Sequence, residues 1–335
     1  MGASGPLQGG RRDVDFDVWG STNDTVGGGA VAKPIRIRPG DTVGVVAPAG
    51  VVDETKLAAG IAALESLGVR VRCGDAVTAK AGYLAGDDTR RRDDLQRMLE
   101  APDVRAVFCA RGGYGCQRIV PALALGGVAG RPKIVVGYSD VSALLAVLVG
   151  RGAVAFHGPM VADDLARGLS PESRTRLHDV LFDPDHRWES PVPTSVRPGR
   201  ARGRLLGGCL SVLVTTLGTP WQINTRGAIL FLEDVNERAY RLDRLLLHLR
   251  QAGVLDGVAG VVFGTLQGCS PYDGVDALTV VREHFAGAPY PVGVGLPAGH
   301  NAAPAQVENH ILPLGVSVEL DVERGRLVSL EAAVV

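Results

Sequence analysis

Short unbroken apolar runs alternate with amphipathic stretches through most of the chain. Thr42 to Ala47 (TVGVVA) is such a run, followed by the turn Pro48-Ala49-Gly50 and a helical stretch from Glu54 to Leu67. The cycle repeats, with strands predicted at Val69 to Arg72, Val104 to Cys109 and Ile134 to Val136, and helices at Asp87 to Leu99 and Ser139 to Val149. Strands without polar alternation are buried on both faces, and their alternation with helices makes a parallel sheet covered on both sides. In the second half, helices are predicted at Gly208 to Leu217, Ala239 to Gln251 and Val275 to Phe285. Strands are predicted there at Ala228 to Leu232, at Val258 to Phe263, and near Val292, Ile311, Val316 and Leu327. The expected fold class is α/β: a parallel-sheet N-terminal domain, then a smaller α+β, β-rich C-terminal domain.

Residues 1–33 are rich in Gly, Ser and Asp and follow neither period, so they are expected to form a disordered tail. Residues 34–166 form the first domain. Between 167 and 200, Pro171, Pro184, Pro191, Pro193 and Pro198 interrupt any long element, which predicts a linker. Residues 201–335 form the second domain.

Charge and composition narrow the function. Lys+Arg number 35 and Asp+Glu 36, a net charge of −1, which lacks the basic excess of a nucleic-acid binder. The longest apolar run, near Val141 to Val149, falls far short of the ~20 residues that span a bilayer. Arg11 and Arg12 are followed by Asp13, Asp15 and Asp17 where a signal peptide needs an apolar stretch. Cys73, Cys109, Cys116, Cys209 and Cys269 are odd in number, scattered and without a C-x-x-C pair. They read as reduced thiols of a cytoplasmic protein with no metal and no membrane partner.

In a parallel sheet, ligands bind beyond the carboxyl ends of the strands. Three turns follow strands there: Ala47 to Gly50, Ala110-Arg111-Gly112-Gly113-Tyr114-Gly115, and Gly137-Tyr138-Ser139-Asp140. The glycines of the second turn let backbone N–H groups approach an anion closely. Their G-G-x-G spacing fails the dinucleotide template, so no nicotinamide cofactor is expected. The third turn places Ser139 at a strand-to-helix junction like a nucleophile elbow, although Val141 stands where G-x-S-x-G has its second glycine. A serine before a helix is most often a cap.

A serine nucleophile needs a base and an orienting carboxylate. Of seven histidines, His178 and His186 fall in the linker, and His248 and His284 in surface helices. His157, after a short strand, is placed to line the same cleft, and His300 sits in the turn-rich loop Gly295 to Asn301. Glu233 ends the apolar strand Ile229 to Leu232, where an acid costs desolvation unless it is paired. Asp87-Asp88 and Asp93-Asp94 look like the aspartate pairs that hold magnesium on a diphosphate, but a chain full of strands excludes an all-helical prenyl-diphosphate enzyme. A helix cap by Asp87 fits better.

Five strings together resemble the LD-carboxypeptidase family of serine peptidases, which also contains the microcin-immunity hydrolases. They are Gly82 to Gly86 (GYLAG), Ala110 to Gly115 (ARGGYG), Gly137 to Asp140 (GYSD), Leu232 to Glu237 (LEDVNE) with Tyr240 to Arg244 (YRLDR), and Gly299 to Asn301 (GHN). The resemblance covers about residues 34–333. It implies a flavodoxin-like first domain and a triad of Ser139 (nucleophile), His300 (general base, then acid) and Glu233 (orienting the imidazole). It also implies an oxyanion hole from the backbone N–H groups of Gly113 and Asp140, a site between the domains, no cofactor and a homodimer.

The activity so implied is release of terminal D-alanine from a peptidoglycan-derived tetrapeptide by cutting an L,D-amide, a step of muropeptide recycling. The alternatives are the same chemistry on a peptide-nucleotide antibiotic, for which Trp188 and Trp221 are potential stacking residues, and a non-catalytic binder of anions or muropeptides. Arg111, Tyr114 and Arg241 are substrate-binding candidates, the arginines for a terminal carboxylate. Glu237 stands four residues before Arg241, a spacing that equally suits a helical ion pair.

Overall fold

The computed structural model describes residues 31–335. The first sheet is built from β1 (Thr42–Val46), β2 (Arg70–Cys73), β3 (Val104–Cys109), β4 (Ile134–Gly137) and β5 (Ala155–His157). They pair in parallel in the order β2-β1-β3-β4-β5, the flavodoxin-like order, with its switch point between β1 and β3. Helices α1 (Glu54–Glu65), α2 (Asp88–Glu100), α3 (Cys116–Ile119) and α4 (Ser142–Gly150) connect them. Asp53 caps α1 by accepting from Lys56 N at 2.9 Å, and Asp87 caps α2 by accepting from Arg90 N at 2.8 Å. Of the aspartate pairs, Asp87 is thus a cap, Asp88 is bound by Arg118 and Arg91, Asp93 by Arg92, and Asp94 is buried, accepting from Ala76 N and pairing with Arg97.

The second sheet has eight strands. At its centre β8 (Arg200–Cys209), β9 (Ile229–Val235), β10 (Gly260–Gln267) and β11 (Val292–Val294) run parallel. β7 (Thr194–Arg197) closes one side against β11; β13 (Ser317–Asp321), β14 (Arg326–Ser329) and β6 (Glu189–Pro191) extend the other beyond β8, all antiparallel. Helices α6 (Leu210–Thr215), α7 (Ala239–Gln251) and α8 (Ala277–Phe285) complete this half.

Four features depart from the sequence reading. The predicted helix at Gly208 begins only at Leu210, because the preceding ten residues are strand β8, whose polar, glycine-interrupted start (RARGR) hides it. The predicted linker holds helix α5 (Pro171–Phe182) together with β6 and β7. Pro171 starts that helix rather than breaking it, since a first-turn residue has no N–H bond to lose, and Ser170 caps it by accepting from Ser173 N at 3.2 Å. The strand β12 (Leu312–Leu314) returns to the first sheet and pairs antiparallel with β5. Of the predicted tail, residues 1–30 lie outside the described residues, whereas Ala32 N donates to Gly152 O at 2.7 Å and Lys33 pairs with Glu331 at 2.7 Å.

Two side chains also correct their predicted settings. His284 is not solvated: its side chain is 8% exposed and its Nε2 lies 2.7 Å from Asp243 Oδ1. Trp188 is buried in the core. Among the described residues no helix is long and apolar enough to cross a membrane.

Candidate active site

The turn after β4 positions the candidate nucleophile. Ser139 has φ 60°, in the left-handed region that a residue with a Cβ enters only under strain. Its Oγ caps no helix. Instead it lies 3.1 Å from His300 Nε2. The glycine turn after β3 packs directly on it: a Cβ at Gly112 would sit 2.7 Å from Ser139 Cβ and 3.4 Å from Asp140 N, so no larger residue fits there.

The partners come from the second sheet. β9 is buried up to Asp234 and presents Glu233, fully buried, at its carboxyl end. The loop after β11 wraps over it, with Gly299 at φ 109° and so close that a Cβ would lie 2.6 Å from Glu233 Oε2. That closeness lets His300 N donate to Oε2 at 3.1 Å while His300 Nδ1 meets the same oxygen at 2.7 Å. Burial pushes the Glu233 carboxyl up, but the imidazoles of His157 and His300 outweigh it and hold it well below its ordinary range. An ionised Glu233 accepts from Nδ1–H, which leaves the Nε2 lone pair facing the serine. For His300, burial works downward, and the Glu233 carboxylate more than offsets it, so its pKa lies above the ordinary 6.5.

Two buried rings brace this line. Tyr138 meets His300 edge-on at 4.9 Å between centroids. His157 is fully buried between Tyr138 and Phe231, with Nε2 3.8 Å from Glu233 Oε1, the carboxylate oxygen that His300 does not use. The sequence put His157 in the cleft; its place behind Glu233 is a tertiary fact.

The other candidates divide. Asp140 uses its carboxylate to accept from Cys116 N at 2.7 Å, capping α3; burial raises its pKa to about 6 against that hydrogen bond. Arg111 donates from Nη1 to Val51 O at 2.9 Å, and among the described residues no carboxylate pairs with it. Tyr114 is exposed beside Tyr83, their centroids 5.9 Å apart. Arg241 is committed to Glu237 at 2.6 Å, as the i, i+4 spacing suggested, which removes it as a free anion receptor. Cys116 is buried beside Asp140, and both effects push its thiol far above the ordinary range, so it is no rival nucleophile.

Three residues that position the His300 loop were missed. Arg167 donates from Nη1 to Asn301 O at 2.8 Å and pairs with the buried Asp164 at 3.0 Å. Asn309 Oδ1 accepts from Gly299 N at 3.0 Å, and its Nδ2 faces Asp164 at 3.4 Å. Asp164 and Arg167 form an i, i+3 pair that their spacing could have suggested, whereas Asn309 is an isolated polar residue that only the fold brings to them.

Comparison with known proteins points in the same direction. The models of the LD-carboxypeptidase N-terminal and C-terminal domains match residues 43–158 and 202–320. The chain is 38% identical over 276 residues to the probable murein peptide carboxypeptidase of Bacillus subtilis (strain 168), covering 80% of this chain and 86% of that one. The crystal structure of muramoyltetrapeptide carboxypeptidase from Oxalobacter formigenes superposes with a TM-score of 0.76 at 29% identity, over 86% of this chain and 97% of that one. The microcin C7 self-immunity protein MccF shares the fold at a TM-score of 0.80 and 22% identity, over 90% of this chain and 99% of that one. With both of its domains present in order and a serine, a histidine and a glutamate meeting where they join, the chain belongs to the LD-carboxypeptidase family.

Proposed function

We propose that this chain is a serine carboxypeptidase that hydrolyses the L,D-amide of peptidoglycan-derived tetrapeptides, releasing terminal D-alanine, through the triad Ser139, His300 and Glu233. The observation that carries this reading is the hydrogen-bonded line from Ser139 Oγ to His300 Nε2 at 3.1 Å and from His300 Nδ1 to Glu233 at 2.7 Å. Ser139 attacks the amide carbonyl as His300 takes its proton, and the N–H groups of Gly113 and Asp140 receive the oxyanion. His300 then protonates the leaving D-alanine amine, and water clears the acyl-enzyme by the same steps in reverse. All five cysteines are free, which suits the reducing cytoplasm.

His300 must be neutral to act as base. Its pKa is raised above 6.5, so kcat/KM should fall as pH drops through a value above 6.5 and reach a plateau on the alkaline side. A profile flat down to pH 5 contradicts His300 as the base.

The free terminal carboxylate needs a cation, and Arg111 is the unpaired candidate beside the glycine turn. Arg111→Gln should lower kcat/KM for the free-acid tetrapeptide by roughly 10–100-fold, the worth of a charge-assisted hydrogen bond, with little effect on the poor carboxamide substrate. Arg241→Gln should change neither. Equal turnover of acid and carboxamide by the unaltered enzyme counts against a carboxypeptidase.

The peptide-nucleotide reading requires an aromatic platform for the base. Trp188 is buried and unavailable, whereas Trp221 is half-buried and the tyrosine pairs Tyr83–Tyr114 and Tyr240–Tyr272 are exposed. Offering the tetrapeptide and a peptidyl nucleotide in one competition assay separates the two, and preference for the nucleotide overturns the tetrapeptide assignment.

A further inference from the structure

Away from the triad, the fold brings together three side chains that are far apart in sequence. Glu172 lies in the first turn of α5, and Glu308 and His310 lie just before β12. His310 Nε2 is 3.4 Å from Glu172 Oε1 and 3.9 Å from Glu308 Oε1, and the three potential ligand atoms all fall within 4.8 Å of one another. Around a tetrahedral zinc with bonds of ~2.0–2.1 Å, neighbouring ligand atoms are roughly 3.3 Å apart. Both carboxylates are at least half exposed, so they are free to close the remaining gap.

His310 supplies the independent sign of a ligand. It is fully buried, yet its Nε2 makes no hydrogen bond. Its Nδ1 lies 3.1 Å from Ser190 Oγ. A metal-bound imidazole usually donates its second N–H to a nearby oxygen, which fixes the tautomer and aims the other lone pair at the metal. Here a proton on Nδ1, directed at Ser190, leaves the Nε2 lone pair aimed between the two carboxylates. Arg176 Nη2, 3.8 Å from Glu172, offsets one of the two carboxylate charges and leaves one for a dication.

We propose that Glu172, Glu308 and His310 form a zinc site that ties α5 to the segment behind the catalytic histidine. His310 N donates to Pro297 O at 2.8 Å, and the neighbouring Asn309 accepts from Gly299 N, so the site borders the loop carrying His300, which these protein hydrogen bonds hold without the ion. Zinc suits a mixed imidazole and carboxylate set with water in the fourth position. No step of the hydrolysis passes through it.

Calorimetric titration of zinc chloride into the metal-stripped full-length chain should show one site per chain, and zinc at about 100 times its Kd should raise the melting temperature by about 5 °C. In the double variant Glu172→Gln/Glu308→Gln, both the heat and the shift should vanish. Tetrapeptide turnover at 25 °C should be unchanged in that variant and in chelator, which separates this site from the triad. Absence of stoichiometric binding overturns the proposal. So does a double variant that binds zinc as the unaltered chain does, because the ion then sits elsewhere.

Discussion

Ser139→Ala should reduce tetrapeptide turnover by about 10⁴–10⁶-fold, the scale on which single members of a serine triad fail. The fold should hardly notice. Alanine keeps the strained left-handed backbone, and the hydroxyl's one hydrogen bond, to His300, is worth about 1 kcal/mol. Ser139→Gly should be equally inactive and at least as stable as the unaltered chain, because glycine relieves a positive φ that costs of order 1–3 kcal/mol. Measuring kcat beside the melting temperature for both variants tests the elbow: inactivity with a level or rising melting temperature marks strain kept for chemistry. Substantial residual activity in Ser139→Ala removes the nucleophile assignment. A serine-directed reagent that labels some other residue does the same.

Glu233→Gln should lower kcat by about 10⁴-fold at neutral pH, because an amide can donate to His300 Nδ1 and so stabilise the tautomer that aims a proton, not a lone pair, at Ser139. The pH profile should shift as well. Glu233 is what raises the His300 pKa, so in the variant the acid limb of the residual activity should move to lower pH. Stability depends on the carboxyl itself. Its folded pKa is depressed below 4.5, so its contribution is present above that value and is lost as pH falls through the folded value. The stability gap between the unaltered chain and the variant should therefore narrow in acid. A variant with nearly full activity, or with an unmoved acid limb, shows that His300 is oriented and tuned by something else.

Much of this site could be read from the chain because its parts stand at positions with few alternative uses. Apolar runs such as Val104 to Cys109 are bounded by turns, and the turn after a parallel strand faces the ligand side, so Ser139 and the glycine turn could be located without a structure. Glu233 drew notice as an acid at the end of a buried strand, and Arg241 as half of a helical pair. The parts that escaped were decided by contacts between distant segments. β8 reads as polar because its first half alternates arginine with small residues, and only pairing with β9 and β13 makes it a strand. The contacts of Arg167 and Asn309 with the His300 loop, and the second face of Glu233 that His157 covers, have no local signature. The same holds for the partners of His310.

The return of β12 to the first sheet has a consequence for the order of synthesis. As the nascent chain leaves the ribosome, residues through β5 can form five parallel strands around Ser139, but the outer edge of β5 stays open until Leu312–Leu314 emerge. An uncovered strand edge is where growing chains stick to one another. His300 appears shortly before that strand, so Ser139 gains its proposed base and the sheet gains its border within the same short span of translation. Until then the half-made protein has an exposed seam and an idle serine, and it becomes a hydrolase only as its final strands close.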